Sequence, residues 1–369
     1  MLEHILQHFH VMVKERASDL ILRSGHKPVV RVDGDIQFLG DQIFTEEDGD
    51  ALARHILSGD ELEQFHGHCE KDTAFVVPGA GRFRCNMLRQ RRQTGFVFRH
   101  VKETVPSMAD LYLPEEVLQR LAGLHRGLVL VTGIAGSGKS TTLASMIDYM
   151  NEHTQRHIVT IEDPIEFIFQ DRQCAVTQRE IGIDTEDCRT ALKAAVRQTP
   201  DVILVGEMRD KETIMAALMA AETGHLVLST LHTVNAVQTV ERIISFFPPH
   251  QHDTIRMQLS LVLEGIVSQR LITRRASAGR VPAVEVLIGT PTVKEMVLDG
   301  RTRELHEAVE DGHQYYGSQS FNQCLVGLVR QGIIDFDDAV GAADNADELK
   351  LALRGITKGV NHLEQLYGT

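Results

Sequence analysis

Hydrophobic positions follow two different rhythms along the chain. The opening "MLEHILQHFHVMVKERASDL" is amphipathic and predicts a helix that ends before "ASDL", where Ser18 or Asp19 can begin a turn. Strands are predicted in "LILRSG" and "VVRVDGDI", broken by Pro28 and reversed at Asp33-Gly34. A helical stretch, "TEEDGDALARHILSGDELEQF", begins at Thr45 as N-cap. Alternating strands follow in "TAFVVPG", "GRFRCNMLRQRR" and "TGFVFRHV". Arg82 and Arg84 share a face there, because strand side chains alternate. Residues 1–100 thus read as a small α/β domain, and "VKETVPSMADLYLP", with two prolines, as a linker over 101–113.

From 114 to 369 the rhythm changes. "GLVLVTG" is a continuous apolar strand, followed by a helix in "KSTTLASMIDYMNEH" and a strand in "HIVTIED". A helix near "TEDCRTALKAAVRQT" precedes the strand "DVILVGE", and "KETIMAALMAAETG" precedes the strand "HLVLSTLH". Unbroken apolar strands alternating with helices predict a parallel sheet covered on both faces, hence an α/β fold. Beyond about residue 250 the pattern reads as mostly helical. It ends in an acidic stretch, "DFDDAVGAADNADELK", read as a solvated helical face.

Composition narrows the function classes. A net charge of −13 argues against a broad electrostatic grip on nucleic acid, though not against a local basic channel. Five scattered cysteines with no CxxC pair fit reduced thiols in the cytosol, not a disulfide framework or a structural zinc site. No signal peptide opens the chain, and no apolar run is long enough to span a bilayer.

The chemistry sits at strand ends. "GIAGSGKST" has the phosphate-loop spacing, with Gly133, Gly138, Lys139 and Ser140 at the fixed positions, between a predicted strand and a predicted helix. Its glycines, Gly136 included, let backbone N–H groups around Ser137 and Thr141 form an anion cradle. Lys139 is placed to reach the β- and γ-phosphates of ATP, and Ser140 to ligate Mg²⁺. Glu207 ends "DVILVGE" and suits a carboxylate that holds Mg²⁺ through water. Glu162, Asp163 and Glu166 cluster around Pro164, and one of them can orient an attacking water. His232 ends its strand at the carboxyl edge, beside Glu207 and Lys139, where it can sense the γ-phosphate. His225 lies at the other end, about 20 Å away, which leaves either a contact with a neighbouring domain or subunit, or a structural role.

Four stretches in order, "GSGKSTT", "TIEDPIE", "VGEMRD" and "TGHLVLSTLHT", resemble the hexameric ATPases of type IV pilus and type II secretion machines. The resemblance extends to "ASDLILRSG" and "RVDGDI" before the core and to "QRL" and "AVEVL" after it. Length and domain plan look like the retraction branch, PilT and PilU. The ending, "SQSFNQCLVGLVRQGIIDFDDAVGAADNADELKLALRG", looks like the accessory type, PilU. Ile134-Ala135 stands where Pro-Thr is common in that branch.

The resemblance implies a PAS-like first domain, a RecA-like second one, a homo-hexameric ring and nucleotide between domains. It implies Glu166 as catalytic glutamate, Glu207 as the Walker B acid, His225 and His232 as the histidine pair, and Arg84 and Arg99 (Arg82 the alternative) as charge stabilisers. It also implies partners: a second retraction ATPase and an inner-membrane platform protein, with the chain cytoplasmic and peripheral to the inner membrane. Two other readings stand beside the motor: an ATP-binding regulatory or structural ring subunit with little turnover, and a nucleic-acid translocase, against which the charge and the histidine string argue.

Overall fold

Ile5, Phe9 and Met12 recur at helical spacing in the first helix, α1 (Leu2–Lys14), and are the residues it buries. The computed structural model to which this helix belongs describes residues 2–32, 35–101, 104–276 and 279–355. It divides into two units, Met1–Thr104 with Pro164–Ile168, and Val105–Asp163 with Phe169–Thr369.

In the first unit α1 is followed by β1 (Asp19–Arg23), β2 (Val29–Val32), β3 (Asp35–Phe38), α2 (Glu46–Ile56), α3 (Gly59–His68), β4 (Glu70–Val77), β5 (Gly81–Gln90) and β6 (Gln93–His100). The six strands form one antiparallel sheet in the order β3-β2-β1-β6-β5-β4. The Asp33-Gly34 reversal lies outside the described residues. One sheet face is aromatic. Phe9 of α1 meets Phe75, Phe83 and Phe98 edge-on, with ring centroids 4.6 to 5.5 Å apart.

The single helix expected after Thr45 is two. Thr45 caps α2 through a capping box with Asp48, and Ser58 opens α3 through a second box with Glu61. Each box satisfies orphan N–H groups at a new helix start, so the second competes with continuation of the first helix.

The second unit runs α4 (Glu115–Ala122), β7 (Gly127–Thr132), α5 (Lys139–His153), β8 (His157–Glu162), β9 (Ala175–Glu180), α6 (Cys188–Ala195), β10 (Val202–Val205), α7 (Lys211–Glu222), β11 (Leu226–Leu231), α8 (Ala236–Ser245), α9 (His252–Val262), β12 (Leu263–Thr273) and β13 (Arg280–Ile288). The sheet order is β13-β12-β7-β11-β10-β8-β9; every pairing is parallel except β12 with β13. Leu128 and Leu130 of β7 join one buried cluster, and Val129 and Val131 join the cluster on the other face. Burial on both faces is why these strands read as unbroken apolar runs.

The mostly helical reading beyond residue 250 is corrected by β12 and β13, a long antiparallel pair that extends the central sheet. Both strands are buried on both faces over much of their length, so they carry no period-2 signal. Short helices follow: α10 (Pro291–Leu298), α11 (Leu305–Asp311), α12 (His313–Tyr316), α13 (Phe321–Arg330), α14 (Phe336–Ala342) and α15 (Ala346–Leu353). The acidic stretch is more than a solvated face. Ala339 and Leu349 bury against Phe321, Leu325 and Ile272 while the carboxylates stay outward.

Candidate active site

β7 is fully buried and delivers the chain into the glycine-rich turn. Gly133, Gly136 and Gly138 have φ of 149°, 74° and 93°, conformations that side-chain-bearing residues rarely adopt. At Gly133 a Cβ would also lie 2.4 Å from Ser137 Oγ and 2.6 Å from the Gln269 carbonyl oxygen. Gly138 then starts α5 without any side-chain cap. The first-turn N–H groups of Lys139, Ser140 and Thr141 therefore have no intrahelical partner, and the helix dipole adds positive potential at the same point. Ser137 Oγ is buried without a hydrogen-bond partner among the described residues.

Lys139 is buried, and its ammonium donates to the carbonyls of Gly133 and Ile134, each at 2.9 Å. It also lies 3.4 Å from Nδ1 of His232. A lysine ammonium only donates, so Nδ1 accepts and the neutral ring carries its proton on Nε2. Nε2 lies 3.2 Å from Oε1 of Glu207. The other Glu207 oxygen meets Nε of Arg209 at 3.0 Å, and Arg209 Nη1 reaches Asp163 at 3.2 Å. The hydrogen bond and charge of Glu207 hold the Arg209 guanidinium above its ordinary pKa. One polar chain therefore links the ends of β7, β11, β10 and β8, through Lys139, His232, Glu207, Arg209 and Asp163.

Arg209 was missed from the sequence, although it stands two residues after Glu207 in "VGEMRD". Two of the three carboxylates around Pro164 have protein partners. Asp163 takes Arg209, and Glu162 accepts from Thr160 Oγ1 at 2.7 Å and from Gln178 Nε2 at 3.2 Å. Ser140 is exposed at the first turn of α5. Gln269 of β12 donates to Thr142 Oγ1 of α5 at 2.8 Å, bracing the helix behind the loop.

Other expected residues lie apart from this chain. His225 precedes β11, and its Nδ1 donates to the Ala220 carbonyl at 2.9 Å, closing the end of α7. Glu166 is exposed, in the segment that groups with the first unit. Also in the first unit, Asp19 faces Arg31 and Arg99 across the strands, and Arg99 faces Arg84. Arg99 donates two bonds to Asp19 Oδ1, at 2.9 and 3.0 Å. Arg84 makes no ion pair among the described residues, so it is the less committed of the two expected arginines.

Residues 75–333 match the family model described as type II/IV secretion system protein. The type IV pilus retraction ATPase PilT of Pseudomonas aeruginosa is 44% identical over 326 residues, 88% of this chain and 94% of that one. The type IV pilus ATPase PilU of the same organism is 40% identical over 357 residues, 96% of this chain and 93% of that one. A crystal structure of the pilus retraction motor PilT with bound ADP superposes with a TM-score of 0.87 at 41% identity, covering 94% of this chain and 98% of that one. The chain belongs to the type II/IV secretion ATPase family, and within it to the PilT/PilU type.

Proposed function

We infer that this chain hydrolyses ATP to drive type IV pilus retraction, the activity carried in the names of its PilT relative and of the solved retraction motor. The observation that carries this reading is the connected set Lys139, His232 and Glu207 at the carboxyl edge, beside an uncapped helix start. A triphosphate supplies the anion that the N–H groups of the loop and Lys139 fit. Lys139 leaves its two loop carbonyls for the β- and γ-phosphate oxygens. That exchange removes the donor from His232 Nδ1, so the imidazole registers an occupied γ-position and passes it to Glu207.

Ser140 and Glu207 are hard oxygen donors that suit Mg²⁺, which when bound would neutralise charge on the β- and γ-phosphates. Glu166 takes a proton from the attacking water. The water oxygen bonds to the γ-phosphorus as the bond to the β-phosphate oxygen breaks, giving ADP and phosphate. Arg84, with Arg99 braced on Asp19, stabilises the charge that develops. His225 acts structurally, at the end of α7.

The finer assignment is the accessory, PilU-type role in a six-membered ring with a PAS-like first domain. It would work with a second retraction ATPase on an inner-membrane platform protein, from the cytoplasmic side. Similarity to PilU spans more of this chain, 96% against 88%, whereas identity is higher to PilT, 44% against 40%.

ATP binding and turnover by the full chain, beside Lys139→Ala and Glu166→Gln, test the site. Expected are loss of both binding and turnover in the first. In the second, binding stays intact while the rate falls about 10²- to 10⁴-fold. A Glu166→Gln rate equal to wild type removes Glu166 from the mechanism. Binding without turnover in the wild type favours a regulatory ring subunit.

A further inference from the structure

The first unit contains a cavity of about 250 Å³ unrelated to the nucleotide loop, lined by Arg23, His26, Gln90, Arg91, Gln93 and Gly95, among others. Arg23 ends β1 and Gly95 faces it on β6. Arg23 Nε is buried there without a hydrogen-bond partner among the described residues. Neither Arg23 nor Arg91 makes an ion pair among the described residues, in a protein whose net charge is −13. The Gln93 amide donates to the Glu46 carboxylate at 3.3 Å.

The rim is held in a costly conformation. Gln90 pairs with Gln93, so Arg91 and Arg92 form a two-residue hairpin turn with φ of 52° and 70°. Such turns favour Asn-Gly, because both positions need positive φ. Arg89 Nη2 donates to the Arg92 carbonyl at 2.6 Å and fixes the turn. Strained backbone that its surroundings over-determine is a feature of ligand clamps. Arg23 lies four residues along β1 from Asp19, so this pocket is about 13 Å from the Asp19–Arg99–Arg84 row.

We propose that this pocket binds a small phosphate-bearing anion, from phosphate to a mononucleotide, on the forked donors of Arg23 and Arg91 with the amides of Gln90 and Gln93. Two guanidinium groups without carboxylate partners match a dianionic phosphoryl group. The site is independent of the ATPase loop.

Calorimetric titration of the full chain carrying Lys139→Ala, which disables the loop, separates the two. The probes are inorganic phosphate, pyrophosphate and AMP, and their relative affinities identify which source of phosphate the pocket takes. Saturable binding is expected for at least one probe, weakened about tenfold or more by Arg23→Gln and by Arg91→Gly. Glycine takes the left-handed turn without strain, so Arg91→Gly removes the charge while keeping or raising the melting temperature. Absence of saturable binding overturns the proposal, as does binding that both added substitutions leave unchanged.

Discussion

His232 shows how much one side chain owes to its two neighbours. Lys139 can only donate, so the imidazole offers Nδ1 to it and turns Nε2–H toward Glu207. A second buried group at this scale is Glu285 of β13, which accepts from the Ala236 N–H at 2.7 Å. Burial pushes its carboxyl up from 4.5 to about 7, against the opposing pull of that hydrogen bond and of the His306 and Arg270 charges. Between those two values the folded chain keeps a proton that the unfolded chain has released. Stability therefore falls as pH rises through that window and levels off above it. Glu285→Gln keeps the acceptor and removes the charge. It should match wild type near pH 4 and exceed it at pH 8 by up to about 3 kcal/mol, at roughly 1.4 kcal/mol per unit. Thermal melts from pH 4 to 8 check this, and parallel curves for the two proteins would sink it.

At the scale of elements, helix starts are written locally. Thr45 accepts from the Asp48 N–H at 3.1 Å while Asp48 bonds back to the Thr45 N–H at 2.9 Å. Thr45→Ala should therefore lower stability by about 1 kcal/mol, read as a shift of the denaturant midpoint with unchanged slope. The same code stands at Ser58 and Glu61, so the break between α2 and α3 was legible, though the apolar pattern alone suggested continuity. The phosphate loop was legible too, because spacing, glycines and the flanking strand and helix all lie within one short segment. β12 and β13 were not. "LEGIVSQRLIT" follows α9 without a loop and is buried on both faces, so neither a turn signal nor an alternation marks it.

At the scale of the whole molecule, the proposed ring makes a mass prediction. Native mass spectrometry with ATP should give a species near six times 41.2 kDa, about 247 kDa. A chain that stays monomeric at working concentration contradicts the six-membered assembly. By itself the sequence determined what depends on neighbours along the chain: the capped helix starts, the glycine turn that delivers Lys139 at the start of α5, and the strand ends that Glu207 and His232 follow. Parallel pairing then puts those ends on one edge, a consequence of strand direction. Only the tertiary structure decided which partner each group takes. It gave Arg209 to both Glu207 and Asp163, Arg99 to Asp19, and His225 to the end of α7. Ion pairs and hydrogen bonds form over about 3 Å, and strand register and sheet order set such distances between residues far apart in the chain.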